Sequence, residues 1–263
     1  SSHNSFCMTI LVRKARISDP LSPHHGSVRD ILIRDGRIDR ISDNIDEPAD
    51  QVVDTAGLHV SPGWVDIFTH GCDPGYEFRE TLDSLAAAGA AGGFTHLFLL
   101  PNTNPVIQNK SLVEYIAGKQ ASAPVALHPL GAVTRYLEGR ELAEMFDMKQ
   151  SGAVAFTDGL NPIQSAGLLI KALQYVRAFD GVLIQVPEDK SIAPNGLVNE
   201  GVVSTRLGLP GKPAMAEEIM VARDIKLARY AESRLHITGI SSARSLEYVR
   251  RAKDGGLMVT CSV

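Results

Sequence analysis

Between residues 9 and 54 the apolar positions recur in short runs, at 10–12, 31–33, 38–41 and 52–53. Each run is too short for a helix, and runs of this length bounded by polar residues read as strands. Asp35-Gly36 separates two of them. Glycine accepts the positive φ that a tight two-residue turn needs, so this dipeptide predicts a β-hairpin. Residues 1–61 are therefore expected to form a small β-rich module. Its first two strands are joined by a stretch holding Pro20, Pro23, His24, His25 and Gly26, whose composition is that of a turn and accounts for the paired histidines without a metal.

After Pro62-Gly63 the pattern changes. Short apolar segments at 64–68, 95–99, 125–130, 153–156, 182–186, 235–238 and 257–260 alternate with longer amphipathic ones near 81–90, 111–117, 139–149, 165–178, 214–231 and 241–252. Strict strand–helix alternation is the signature of βαβ units around a parallel sheet, and so of an α/β fold. Seven strand signals over residues 62–263 point to an eight-stranded (β/α)8 TIM-type barrel that stops one unit short. A barrel lacking a strand exposes two unpaired edges, so the last part of the barrel is expected to lie outside this sequence.

Composition changes this picture only by exclusion. A chain of 263 residues that is 44% hydrophobic buries an ordinary core. Its net charge of −4 and pI near 6.1 carry no basic footprint for nucleic acid. Cys7, Cys72 and Cys261 are odd in number and widely spaced, which fits a reducing compartment better than a disulfide framework. No apolar run reaches the ~20 residues of a membrane span, and the polar opening Ser1 to Asn4 lacks the regions of a signal peptide. A cytoplasmic protein is expected, with neither membrane nor nucleic acid as partner.

In such barrels the chemistry gathers at the carboxyl ends of the strands. The first barrel segment runs Val65-Asp66-Ile67-Phe68-Thr69-His70-Gly71-Cys72-Asp73-Pro74-Gly75, and the second is followed by Leu100-Pro101-Asn102-Thr103-Asn104-Pro105. The fourth gives Ala153-Val154-Ala155-Phe156-Thr157-Asp158-Gly159, the fifth ends Val186-Pro187-Glu188-Asp189, and the sixth reads Leu235-His236-Ile237-Thr238-Gly239-Ile240-Ser241. Asn199-Glu200-Gly201 and Leu207-Gly208-Leu209-Pro210-Gly211 lie between the last two. Over nearly the whole chain, roughly 9–259, these frames resemble the dihydroorotases of the amidohydrolase superfamily.

The resemblance implies a metal-dependent (β/α) barrel beside a composite β-sandwich, and it implies a role for each frame. In the family the first strand carries His-x-His and then an Arg that holds the substrate carboxylate. Here Phe68 replaces the first histidine, His70 keeps the second, and Cys72 stands for the Arg. The Asn after the second strand contacts substrate and corresponds to Asn102. The family's Phe-Ser-Asp-Asp-Gly holds a metal through its first Asp, which corresponds to Asp158, one carboxylate of the pair being missing. The histidine ligands at the ends of the fifth and sixth strands correspond to Val186 and Gly239, while His236 matches a histidine that is not a ligand. The residual metal positions are thus His70 and Asp158, and no catalytic residue is assigned. A catalytic zinc usually takes three protein ligands, so the frame implies no cofactor, with zinc the metal if one is bound.

The bland readings stand beside these. A lone imidazole at a strand end is more often hydrogen-bonded than metallated. His96 and His128 read as packing within strands, Cys72 as a plain small side chain, and Trp64 and Phe68 as barrel packing. Glu188 and Asp189 are adjacent on an extended segment and point to opposite faces, which argues against a shared acid–base role. The chain is read as a catalytically inactive dihydroorotase-like protein of pyrimidine biosynthesis, a structural partner of aspartate carbamoyltransferase as the resemblance implies, and a homo-oligomer is compatible with that reading. The alternatives are an active cyclic amidohydrolase with a rearranged site, and a barrel turned to another small ligand with Asn102 in its lining.

Overall fold

The computed structural model describes residues 8–192, 194 and 198–263. They form two compact units, one ending at Gly63 and one beginning at Trp64. Cys7 lies outside the described residues.

The first unit is a β-sheet of β1 (Thr9–Ile17), β2 (Val28–Arg34), β3 (Arg37–Ser42), β4 (Gln51–Val53) and β5 (His59–Val60). The order is β3-β2-β1-β4, with β5 also on β1. β1, β2 and β3 pair antiparallel, and β4 and β5 pair parallel to β1. Asp35 and Gly36 both take positive φ, 49° and 74°, so the β2–β3 connection is the primed two-residue turn that the Asp-Gly dipeptide favours. Alternation along the strands buries Leu11 and Leu32 with Ile45, and Ala15 and Ile17 with Ile31. Asp30 is buried here and accepts hydrogen bonds from the Lys14 and Ile45 amides. The His24–His25 segment is a turn closed by the bond from His25 N to Ser22 O. The two-residue strand β5 carries no sequence signal of its own.

The second unit opens with β6 (Trp64–Thr69), α1 (Leu82–Ala91), β7 (Phe94–Leu99), α2 (Lys110–Gly118), β8 (Ala126–Gly131), α3 (Met145–Gln150), β9 (Ala155–Phe156) and α4 (Ala166–Arg177). It continues with β10 (Val182–Gln185), β11 (Val198–Asn199), α5 (Val202–Leu207), β12 (Gly211–Lys212), α6 (Ala214–Ala231), β13 (Arg234–Ile237), α7 (Ala243–Asp254) and β14 (Val259–Cys261). Seven strands form one parallel sheet in the order β14-β13-β10-β9-β8-β7-β6. This is chain order, as successive βαβ units require. All seven strands expected from the sequence are present, and no ladder joins β14 to β6 among the described residues.

Side chains alternate across each strand, so the sheet has two faces. One meets the helices: Leu97, Leu99, Leu127, Phe156 and Leu183 pack with Val113, Leu169, Leu173 and Val221. The other is concave, and there Phe68 and Phe98 meet Leu100, Leu130, Ala155 and Ile184 from five neighbouring strands or their ends. The helices start where polar caps satisfy free amides: Thr81 for α1, Asn109 for α2 and Ser165 for α4. Among the described residues no helix is long and apolar enough to cross a membrane.

Three sequence expectations need correction. The helix expected over 139–149 is only Met145–Gln150. Before it Tyr136, Leu137 and Gly139 take positive φ, and a Thr134–Leu142 bridge claims the backbone. The β11–β12 pair and α5 fill the stretch between β10 and α6, for which the periodicity gave no element. Trp64 is 64% exposed and covers Gly93 at the strand's start rather than packing in a core.

Packing is tight where β8 and β9 meet the helices. A Cβ built on Gly131 would lie 2.8 Å from Met148 Sδ and 2.9 Å from Phe156 Cδ1. Phe156 is fully buried, so Phe156→Ala is expected to destabilise the unit by about 3–5 kcal/mol in urea unfolding of the full-length protein. A loss below ~1 kcal/mol would show that the ring is not a keystone of this core.

Candidate functional site

The carboxyl ends of the parallel strands bring their loops to one rim. The loop after β6 is fixed by Asp73, which is buried and accepts hydrogen bonds from Tyr115 Oη (2.7 Å) and Leu82 N (3.1 Å). That bond to a carboxylate pushes the Tyr115 phenol up to about 12. Within the loop His70 is exposed, while Cys72 is a half-buried free thiol. Phe68, one turn of the pleat below His70, points into the concave apolar cluster.

The loops after β7 and β9 touch. Gly159 has φ +63°, and a Cβ there would fall 2.2 Å from Asn102 Oδ1, so only glycine lets the Asn102 amide lie against this backbone. Asn102 Oδ1 is buried and has no hydrogen-bond partner. An unmet buried acceptor at a barrel rim marks a place where a ligand donor would be favourable.

Asp158, next to Gly159, is 1% exposed. Its Oδ1 accepts from Val133 N and Thr134 N, each at 2.9 Å, and its Oδ2 accepts from Thr134 Oγ1. Burial pushes its carboxyl up to about 6 against these bonds, which pull it down. All three donors come from the loop after β8, so the carboxylate ties two strand ends together.

The ends of β10 and β13 border a cavity of about 250 Å³ that includes Val186, Glu188, Lys212, Glu217 and Gly239 in its lining. Gly239 has φ +79° with open space where a side chain would stand. Burial opposes the charge on Glu188, but its bonds to Lys190 and Lys212 hold the carboxyl below its ordinary value. Asp189 bonds to Ser191 instead, so the adjacent carboxylates do serve separate partners. Glu217 accepts from the Ser241 and Ser242 amides. His236 bonds to Thr260 Oγ1 (2.7 Å) and Ser262 Oγ (3.1 Å), and burial lowers its pKa.

The profile of the dihydro-orotase-like family matches residues 57–245. The chain belongs to that family. It is 42% identical over 258 residues to a protein named dihydroorotase from Pelotomaculum thermopropionicum, covering 97% of this chain and 60% of the relative. A dihydroorotase from Syntrophotalea carbinolica is 42% identical over 256 residues, covering 96% and 60%. The chain thus spans about 60% of the length of these curated relatives. Among solved structures, an L-hydantoinase from Arthrobacter aurescens superposes with a TM-score of 0.75 at 24% identity, covering 96% of this chain and 57% of that one. A D-hydantoinase gives 0.73 at 21%, with 97% and 57% covered. These superpositions support the (β/α) barrel fold.

Dihydroorotase-like membership makes zinc the metal to test against these residues. The positions of the family frame supply Phe68, Val186 and Gly239, whose side chains carry no donor atom, along with an exposed His70 and an Asp158 whose two oxygens both already accept hydrogen bonds. Among the described residues no three His, Cys, Asp or Glu side chains converge. This donor set does not fit a zinc centre, which needs at least three protein ligands. The structure joins Asn102 to the Asp158–Gly159 turn but gives His70 no partner in it. The Val133–Thr134 clamp was missed in the sequence; its members lie 24–25 residues from Asp158 and belong to no motif.

The clamp makes a quantitative prediction. Asp158→Ala removes three bonds and strands two buried amides, so a loss of about 3 kcal/mol is expected. Asp158→Asn keeps an acceptor for both amides and should cost about 1 kcal/mol. Equal and negligible losses in urea unfolding would show that the clamp is not structural.

Proposed function

We propose that this chain is a dihydroorotase-like protein of pyrimidine biosynthesis that does not itself hydrolyse dihydroorotate, binds no zinc at its barrel mouth, and acts in the cytoplasm as a structural partner of aspartate carbamoyltransferase. One observation carries the inactive reading: the single carboxylate left in the metal frame spends its oxygens on Val133 and Thr134. Opening a cyclic amide with water relies on a metal to polarise the carbonyl and generate the nucleophile, and on a free carboxylate to move the proton. Phe68 supports the same reading, since it fills the barrel axis with an apolar ring where an imidazole would otherwise project.

The carbamoyltransferase partnership rests on the family resemblance, in which a dihydroorotase-like chain serves as scaffold beside that enzyme. It accounts for a retained fold with an altered mouth. The buried core, the helix caps and the Asp158 clamp all preserve the barrel while the donor positions are lost.

The test uses full-length protein. Dihydroorotate hydrolysis and the reverse cyclisation of N-carbamoyl-aspartate are assayed with and without added zinc, and the protein is run in gel filtration with aspartate carbamoyltransferase from the same organism. No metal-dependent turnover above the blank is expected, together with co-elution of the two proteins. Zinc-dependent turnover would overturn the inactive reading, and separate elution would overturn the partnership.

A further inference from the structure

Strands β7 and β8 each place a histidine on the concave face, on the side of Phe68 and Phe98. His96 Nδ1 lies 2.8 Å from His128 Nε2. The ring planes differ by 12° and the centroids stand 5.2 Å apart. Two parallel imidazoles in face-to-face contact would bring their centroids closer than this. The separation is what two rings joined end to end through an N–H···N bond have, so they lie edge to edge along the bond. The Phe98 ring sits 4.6 Å from the His128 ring and fixes its orientation. His96 is exposed and His128 half-buried, so protons reach the pair from solvent.

We propose that His96 and His128 form a single-proton tie between β7 and β8, a pH-sensitive link that holds while one proton lies between the rings and breaks when a second is forced in. A neutral imidazole has one N–H and one bare nitrogen. The bond therefore needs one of the facing nitrogens protonated and the other bare. A proton added to an outer nitrogen leaves the bond in place, now charge-assisted. Protonation of both rings sets two N–H groups and two positive charges against each other, and the contact must open.

The surroundings do not offset that repulsion. On the same face, β6 contributes Asp66, whose Oδ1 accepts from Phe68 N at 2.9 Å. β13 contributes Arg234, paired with Asp180, and His236, held by Thr260 and Ser262. The concave positions of β9 and β10 are apolar, Ala155, Val182 and Ile184. Burial, and then the neighbouring His96, lower the pKa of His128 from its ordinary 6.5. A histidine depressed in the folded state contributes stability that is full above about pH 6.5 and is lost as the pH falls through the folded value. The tie thus holds at neutral pH and gives way on acidification, once both rings are protonated. It joins the two strands whose ends carry Asn102 and the Val133–Thr134 clamp.

The experiment takes the full-length protein through pH 7.5 to 5. Imidazole nitrogens are followed by ¹⁵N NMR, and thermal unfolding is measured for wild type, His96→Gln, His128→Gln and the double variant. At pH 7.5 one facing nitrogen of each pair should carry the proton and the other should not, with scalar coupling across the bond. The double-mutant cycle should show favourable coupling at pH 7.5 that disappears at pH 5, and the wild-type Tm should fall by about 3 °C more than that of the double variant. Independent titration of the two rings in the wild type would overturn the proposal even if the variants fold poorly. So would a coupling that does not change with pH.

Discussion

The carboxylate of Asp158, almost wholly out of solvent, takes two backbone amides and one hydroxyl from a single neighbouring loop. Burying a charge is costly unless its lone pairs are met, and here the sequence meets them locally by bending the chain after β8 toward the end of β9. The rest of the mouth follows from that bend. Thr134 bridges to Leu142, and its hydroxyl oxygen accepts a further bond from Gly139 N, which delays the start of α3. Gly159 turns with positive φ immediately after the clamp and gives Asn102 its resting surface. A metal drawing on Asp158 would have to compete with all three donors.

The second constraint is the filling of the barrel axis. Phe68 and Phe98 lie with Leu100, Leu130 and Ile184 on the concave side, so the layer directly beneath the mouth is apolar. At the ends of β10 and β13, by contrast, Val186 and Gly239 border a cavity. Gly239 has room for a side chain but takes a left-handed backbone that a β-carbon disfavours. Among the described residues the rim keeps the bonds that tie its loops, Asp158 to Val133 and Thr134, while no three His, Cys, Asp or Glu side chains converge.

Much of the fold was legible in the sequence because strand–helix alternation is a local signal. All seven barrel strands and the Asp35-Gly36 hairpin follow from periodicity and turn chemistry. What escaped was tertiary. The partner of Asp158 lies 24 residues away and that of His96 lies 32 away, and neither spacing forms a pattern along the chain. The apolar run that includes Trp64 resembled buried packing, yet the side chain sits at an open strand start. At the candidate site the resemblance implied which donors are replaced; it could not show that Asp158 is already engaged with Val133 and Thr134.

The central claim is that the barrel mouth no longer forms a zinc site. The most direct measurement is equilibrium dialysis of full-length wild type and His70→Ala against zinc, followed by elemental analysis. The account predicts less than ~0.1 zinc per chain that depends on His70. Near-stoichiometric zinc in the wild type that is lost on His70→Ala would contradict it.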